Sequence, residues 1–183
     1  MAAPMERMMG FPAARARLFE RVVKGRVLEV GAGTGKNLAY YPQEGATVAT
    51  DLSPGMLARA VEKAASHSGP VHFVVSDGED LAFKAGSFDS VIASFVFCTV
   101  PDPVRGLREV RRVLREGGQV ILLEHIRPRG LLGKLFDLLA PIASRLMGPH
   151  INRRTLENVR KAGLAVAEEL DVFSDWIKLI VAR

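Results

Sequence analysis

Glu29, the glycines at 31, 33 and 35, and Asp51 are the residues of this chain whose types and spacing speak most directly of chemistry. An apolar run, Val27-Leu28-Glu29-Val30, enters the turn Gly31-Ala32-Gly33-Thr34-Gly35, and a second run from Ala46 to Thr50 ends at Asp51. Glycine has no Cβ and takes φ > 0 at little steric cost, so such a turn can bring its backbone close to a ligand. An acidic residue about twenty positions after the first glycine, closing the next strand, can accept hydrogen bonds from both hydroxyls of a ribose. The pairing predicts a nucleoside-binding α/β fold and a cofactor derived from adenosine.

The spacing is Gly-x-Gly-x-Gly, whereas a dinucleotide fingerprint is Gly-x-Gly-x-x-Gly with a helix N-terminus aimed at a pyrophosphate. Lys36 stands where that third glycine would be. Glu29 would repel a pyrophosphate but could accept hydrogen bonds from the ammonium of an amino acid. S-adenosylmethionine suits both ends, with its aminoacyl group near Glu29 and the glycines and its ribose at Asp51. In these residues the chain resembles the class I S-adenosylmethionine-dependent methyltransferases.

Further motifs extend the resemblance over residues 26 to 128. Ser76-Asp77-Gly78-Glu79-Asp80-Leu81-Ala82-Phe83 resembles the family's third-strand loop, Gly86 to Ser94 its fourth strand, and Val110 to Ile121 the helix, Gly-Gly turn and fifth strand of the methyltransferase type 11 group. The resemblance implies a Rossmann-like, mostly parallel seven-stranded sheet with helices on both faces and an antiparallel C-terminal strand. It implies a cofactor site of Glu29, Gly31, Ala32, Gly33, Thr34, Gly35, Asp51, Leu52, Met56, Asp77, Gly78, Glu79 and Phe95, with Asp77 reading the adenine amino group. Other uses stay open: Glu29 as a strand-end carboxylate satisfied by backbone amides, Asp77 as an Asp-Gly turn residue, and Met56 as core. Asp89 reads as structural.

The elements that must position these residues follow from periodicity. Helices are expected near 13–24, 35–41, 54–66, 103–115, 131–147 and 153–162, with strands near 27–31, 46–51, 71–76, 88–94, 118–125, 165–173 and 176–182. Alternating strands and helices imply a parallel sheet covered on both faces, with ligand at the carboxyl ends of strands one, two and four.

On the acceptor side the residues after the fourth strand, Phe95 to Thr99, are chiefly apolar, and Phe97, Cys98 and Thr99 are expected to line the acceptor pocket. Methyl transfer from a sulfonium needs alignment more than a base. His125 and His150 are the two candidate general bases by location, although a lone histidine is more often a hydrogen-bonded structural residue. Cys98 reads as pocket wall. Between Ile126 and Lys161 eight Lys and Arg face two acidic residues, an excess of six positive charges. Within that stretch the apolar face of 131–147, including Phe136, Leu139 and Met147, predicts an acceptor-site lid, a membrane-surface helix or a core helix. Pro141 should kink it. Residues 126–162 thus read as an acceptor-site or membrane-facing insertion within one domain spanning 1–183.

Of the 183 residues 48% are hydrophobic, enough for a complete core. No apolar run is long enough for a transmembrane helix, one cysteine excludes an internal disulfide, and four scattered histidines lack metal-ligand spacing. A cytoplasmic protein is expected, with peripheral contact at the inner membrane surface as an option. The net charge of +5 raises a nucleic-acid methyltransferase as an alternative, but no Asn/Asp-Pro-Pro-aromatic motif follows the fourth strand and no stacking platform accompanies the basic residues. A non-catalytic binding module is a further alternative. The stretches Gly35 to Pro42, Val96 to Pro103 and Leu123-Glu124-His125 resemble thiol methyltransferases and quinone and phospholipid methyltransferases. They imply a small, mostly apolar acceptor: a thiol, a lipid amine headgroup or a quinone precursor.

Overall fold

The computed structural model describes residues 11–128 and 153–183, together with Gly130, Leu131, Gly133 and Leu138. The described strands are β1 (Arg26–Val30), β2 (Ala46–Asp51), β3 (Val71–Val75), β4 (Phe88–Ser94), β5 (Leu114–His125), β6 (Val166–Phe173) and β7 (Ile177–Ala182). The described α-helices are α1 (Phe11–Phe19), α2 (Pro54–Ala64), α3 (Pro103–Val113) and α4 (Thr155–Lys161).

The strands form one sheet in the order β3-β2-β1-β4-β5-β7-β6. β1 to β5 pair in parallel, and β7 pairs antiparallel with both β5 and β6. The strand order therefore reverses between β1 and β4, and the carboxyl ends of those two strands open the crevice where such sheets bind ligands.

Side-chain alternation explains why both faces are covered. Val27, Ile92, Ile121, Leu123, Leu179 and Val181 point to the face packed by Phe11, Ala14 and Leu18 of α1 and Leu57 of α2. Leu28, Val30, Val91, Ala93, Val120, Leu122 and Ile180 point to the other, against Leu107, Val110 and Val113 of α3 and Val159 of α4. Burial of each such aliphatic side chain contributes about 1.5–3 kcal/mol relative to exposure. Two helices start on strong local signals. Ser53 caps α2, its hydroxyl accepting from the Met56 amide at 3.3 Å, and Asp102 caps α3 through the Val104 and Arg105 amides, both at 3.0 Å. Pro54 and Pro103 follow these caps.

Three boundaries differ from expectation. The helix expected over 35–41 is only a 3₁₀ turn at Leu38–Tyr40, because Pro42 forces Tyr41 into an extended conformation with ψ 143°. The first helix ends at Phe19 rather than near 24, and the Val23 amide instead donates to Ser90 Oγ at 3.0 Å, in the strand layer. β5 begins at Leu114, which pairs with Phe88 ahead of a bulge, so the stretch through Gly117 (φ 74°) and Gly118 belongs to the strand rather than preceding it.

Candidate active site

The turn after β1 is tied to the end of β2. The Ala32 amide donates to the Thr50 carbonyl at 2.8 Å, and the Gly33 amide donates to Asp51 Oδ2 at 2.9 Å. Asp51 Oδ1 accepts from the Ser53 amide at 2.9 Å, and Lys63 reaches back from α2 to the Thr34 carbonyl at 2.6 Å. The glycines do different things. A Cβ at Gly31 would lie 2.4 Å from Val96 Cγ2, and one at Gly35 would lie 2.5 Å from Leu38 Cδ1, so those two serve close packing. Gly33, at φ 56°, has open space where a Cβ would be. At Gly31 and Gly35 the obstacle to a side chain is therefore protein, and at Gly33 it is the left-handed backbone alone.

Glu29 lies beneath this turn at 1% exposure. Asn37 Nδ2 donates to its Oε1 at 2.5 Å, and the Tyr41 hydroxyl donates to its Oε2. Side chains of the 37–41 segment, rather than backbone amides, thus engage both carboxylate oxygens. Burial pushes the Glu29 carboxyl up to about 7, against the opposing pull of the Tyr41 and Asn37 hydrogen bonds and the Arg15 charge. Asn37 also donates to Ser94 Oγ at 3.1 Å, linking β1 to the end of β4.

Beside Asp51, Leu52 is 68% exposed and Met56 is 41% exposed, so Met56 is not core. The loop after β3 lies across the crevice. Asp77 is exposed and its Oδ1 accepts from the Glu79 amide at 2.8 Å, a turn interaction, while Glu79 Oε1 accepts from the Asp102 amide at 2.7 Å. Gly78 approaches Val30, and a Cβ on it would be 3.3 Å from Val30 Cγ1. Asp89 is structural: it accepts from the Arg26 amide at 2.6 Å and pairs with Arg115, at the opposite end of β4.

At the carboxyl end of β4 the chain bends sharply. Phe95 takes φ 60°, uncommon for a bulky residue, and its amide donates to the Leu123 carbonyl at 2.8 Å. Glu124, fully buried in β5, holds the next residues: its Oε1 accepts from the Val96 amide at 2.8 Å and the Phe97 amide at 2.9 Å. Burial raises the Glu124 carboxyl to about 7, moderated by the Phe97 and Val96 amides. Cys98 is 1% exposed, packed behind the bend rather than lining an open pocket, and burial with the neighbouring Glu124 pushes its thiol well up. Thr99 folds back, its hydroxyl donating to the Val96 carbonyl at 2.7 Å.

A line of rings leads away from this bend. Phe95 lies 5.0 Å from Phe11 and 4.7 Å from His125, and His125 lies 6.0 Å from Trp176, centroid to centroid. Burial lowers the His125 pKa, so its ring is neutral near pH 7. His150 and the lid residues Phe136, Leu139 and Met147 lie outside the described residues.

The comparisons bear on this geometry. A family model described as a methyltransferase domain matches residues 28–122, more than half of the chain. The chain belongs to that methyltransferase family. It is similar to a phosphatidylethanolamine N-methyltransferase of Cereibacter sphaeroides, 40% identical over 125 residues, covering 67% of this chain and 62% of the relative. It is also similar to a ubiquinone/menaquinone biosynthesis C-methyltransferase of Geobacter sp. (strain M21), 37% identical, covering 57% of this chain and 47% of the relative. A human thiol S-methyltransferase is 39% identical, covering 56% and 43%. The chain thus spans about two-fifths to three-fifths of the length of these relatives. In fold it resembles a putative methyltransferase of Bacillus halodurans (TM-score 0.75, 24% identity, covering 86% of this chain and 71% of that one). A geranyl diphosphate methyltransferase in complex with S-adenosylmethionine has the same TM-score of 0.75 at 15% identity, covering 93% and 84%.

S-adenosylmethionine is the methyl donor that the class I methyltransferases use, and the crevice of this chain has features that suit it. Gly33 leaves the room a Cβ would fill, a carboxylate stands at the end of β2, and exposed apolar surface at Leu52 and Met56 flanks it. Three residues that the sequence marked only within resembling stretches, without giving them a role, support the site. Asn37 and Tyr41 hold Glu29, and Glu124 holds the bend after β4. A fourth, Gly106 of α3, lets that helix approach, since a Cβ there would lie 3.0 Å from Phe97 and 3.1 Å from the Gly78 carbonyl. A glycine inside a helical pattern is the one signal that could have flagged it. Among the described residues, no helix is long and apolar enough to cross a membrane.

Proposed function

We propose that the chain transfers the methyl group of S-adenosylmethionine to a small, mostly apolar acceptor of the thiol, lipid-amine or quinone-precursor kind. The supporting observation is that the turn after β1 and the bend after β4 are in contact, Gly31 against Val96, and that the ring line Phe95, His125, Trp176 begins at that bend. Donor-side and acceptor-side residues thereby adjoin one another. In this reading Asp51 receives the ribose hydroxyls, Leu52 and Met56 flank the adenine, and Asp77 with the Gly78 and Glu79 backbone meets its edge. Gly31 to Gly35 border the aminoacyl group, with Glu29 beneath the turn. Exposed Thr99 bounds the acceptor side, with Phe97 and Cys98 packed in the core behind it. The bound sulfonium supplies an activated methyl group, and the chain's own residues align the acceptor and exclude water. Neutral His125 is positioned to accept a proton only where the acceptor sheds one. Transfer from methyl-labelled S-adenosylmethionine should be screened across alkyl thiols, phosphatidylethanolamine and quinone precursors. Label in none of these products, with S-adenosylhomocysteine still bound, would overturn the proposed acceptor class.

A further inference from the structure

A cavity of about 350 Å³ lies beyond the carboxyl end of β5, lined by Ile126, Arg127, Arg153, Arg154, Glu157 and Arg160 among others. Among the described residues that line it, four are arginines and one, Glu157, is a carboxylate. The Arg154 to Glu157 contact is long, at 3.4 Å, with the two side chains 63% and 49% exposed. Arg153 is anchored differently. Its Nη2 donates to the Val100 carbonyl at 2.7 Å, which fixes the guanidinium beside the bend after β4, and its buried Nε has no hydrogen-bond partner. Backbone hydrogen bonds tie the segments that line the cavity to one another and to Trp176. The Ile126 amide donates to the Trp176 carbonyl at 2.8 Å, and the Arg127 amide donates to the Arg153 carbonyl at 2.9 Å.

Planar guanidinium groups match the paired oxygens of a phosphate and remain charged at any physiological pH. A cavity of this size takes a small headgroup. We infer that this arginine-lined cavity is an anion subsite that holds the phosphate of the methyl acceptor, so that among the acceptor classes proposed above the enzyme selects a phosphate-bearing amine. The inference rests on the proposed methyl-transfer reading for its catalytic meaning, but anion binding can be measured without it. A phosphodiester in this cavity anchors one end of the acceptor while its amine lies along Phe95 and His125, converting phosphate binding into orientation of the nucleophile.

Trp176 is the chain's single tryptophan, and its fluorescence reports on ligands that enter this region. The full chain should be titrated with glycerophosphoethanolamine, with inorganic phosphate and, as a phosphate-free amine, with ethanolamine. The two phosphate compounds should bind saturably and ethanolamine should not. The double variant Arg154→Ala/Arg160→Ala removes two exposed guanidinium groups and should weaken phosphate binding about tenfold or more, the scale of one lost charge-assisted contact. Its affinity for S-adenosylhomocysteine should be unchanged, which shows that the fold is intact. Arg153→Lys, which keeps the charge but not the fork, should also weaken it. Vesicles of phosphatidylethanolamine separate the sources: methylation of the vesicle lipid, slowed in the double variant, supports a lipid headgroup, and methylation of glycerophosphoethanolamine alone, equally slowed, supports a free phosphate compound. Equal phosphate affinity in wild type and double variant overturns the subsite and leaves methyl transfer to thiols or quinone precursors standing. Phosphate binding lost in the double variant with no methyl transfer to any acceptor supports the subsite and counts against the proposed reaction.

Discussion

The amide of Gly33 and the carboxylate of Asp51, eighteen residues apart in the chain, are joined by a 2.9 Å hydrogen bond that fastens the turn after β1 to the end of β2. The oxygen that accepts it belongs to the group proposed to meet the ribose, so in that proposal one side chain both shapes the turn and meets the ligand. Asp51→Ala should weaken S-adenosylhomocysteine binding by about 1.5–3 kcal/mol, the range for charge-assisted hydrogen bonds, without unfolding the chain. Calorimetric titration measures it. Unchanged affinity would mean that the ribose does not lie at Asp51.

Cys98 should be chemically quiet. It is 1% exposed, and burial together with the Glu124 carboxyl disfavours the thiolate that would react. Alkylation by iodoacetamide at neutral pH should be far slower in the folded chain than in urea, and Cys98→Ser should retain methyl transfer. Rapid labelling of the folded protein, or loss of transfer with cofactor binding intact, would make Cys98 a participant.

Two buried carboxyls set an unusual pH dependence. Glu29 and Glu124 are each raised from 4.5 to about 7, chiefly by burial. Between those values the folded chain holds protons that the unfolded chain has lost, so their contribution is fully present below about 4.5 and is lost as pH rises through about 7, on the order of 3 kcal/mol each. His125, lowered by burial, acts in the opposite sense, and its contribution falls away as pH drops below its ordinary value. Urea unfolding from pH 5.5 to 8.5 should show stability declining toward the alkaline end. Glu29→Gln should flatten that slope. Tyr41→Phe removes the hydroxyl that donates to Glu29 and should cost about 1–3 kcal/mol, more at high pH than at low.

The glycine turn, Asp51 and the sheet's alternation are legible in the sequence because each depends on neighbours within one strand-turn-strand unit. The turn needs only its own φ values, and Asp51 needs only to close the following strand. Glu124 is marked only by the resemblance of Leu123-Glu124-His125, and its role is not legible in this way, since it acts on amides 27 and 28 residues away. Glu29 is half legible. Its place before the turn marks it, but its partners Asn37 and Tyr41 become neighbours only because Pro42 stops the intervening segment from running on as a helix. The arginine-lined cavity is hidden for a related reason: Arg127 and Arg153 are far apart in sequence and meet through a backbone hydrogen bond. A charge count finds the basic character of 126–162 but not the concavity.

Glu124 offers a clean separation between charge and hydrogen bonding. One of its oxygens accepts from the Val96 and Phe97 amides, and the carboxyl is buried beside the Cys98 thiol. Glu124→Gln can keep the accepting oxygen where it is, so the bend after β4 should survive, cofactor affinity should hold, and the share of the alkaline loss of stability that stems from residue 124 should vanish. Glu124→Ala leaves two buried amides without an acceptor and should cost about 2–4 kcal/mol. Because Phe95 holds its positive φ at the head of this bend, the alanine variant should also release its ring from His125 and raise the KM for acceptor more than it weakens S-adenosylhomocysteine binding. Denaturant unfolding, calorimetry and acceptor kinetics on the two variants read these effects separately. Equal damage from Gln and Ala would show that the charge of Glu124, and not its hydrogen bonds to the bend, is what the site requires.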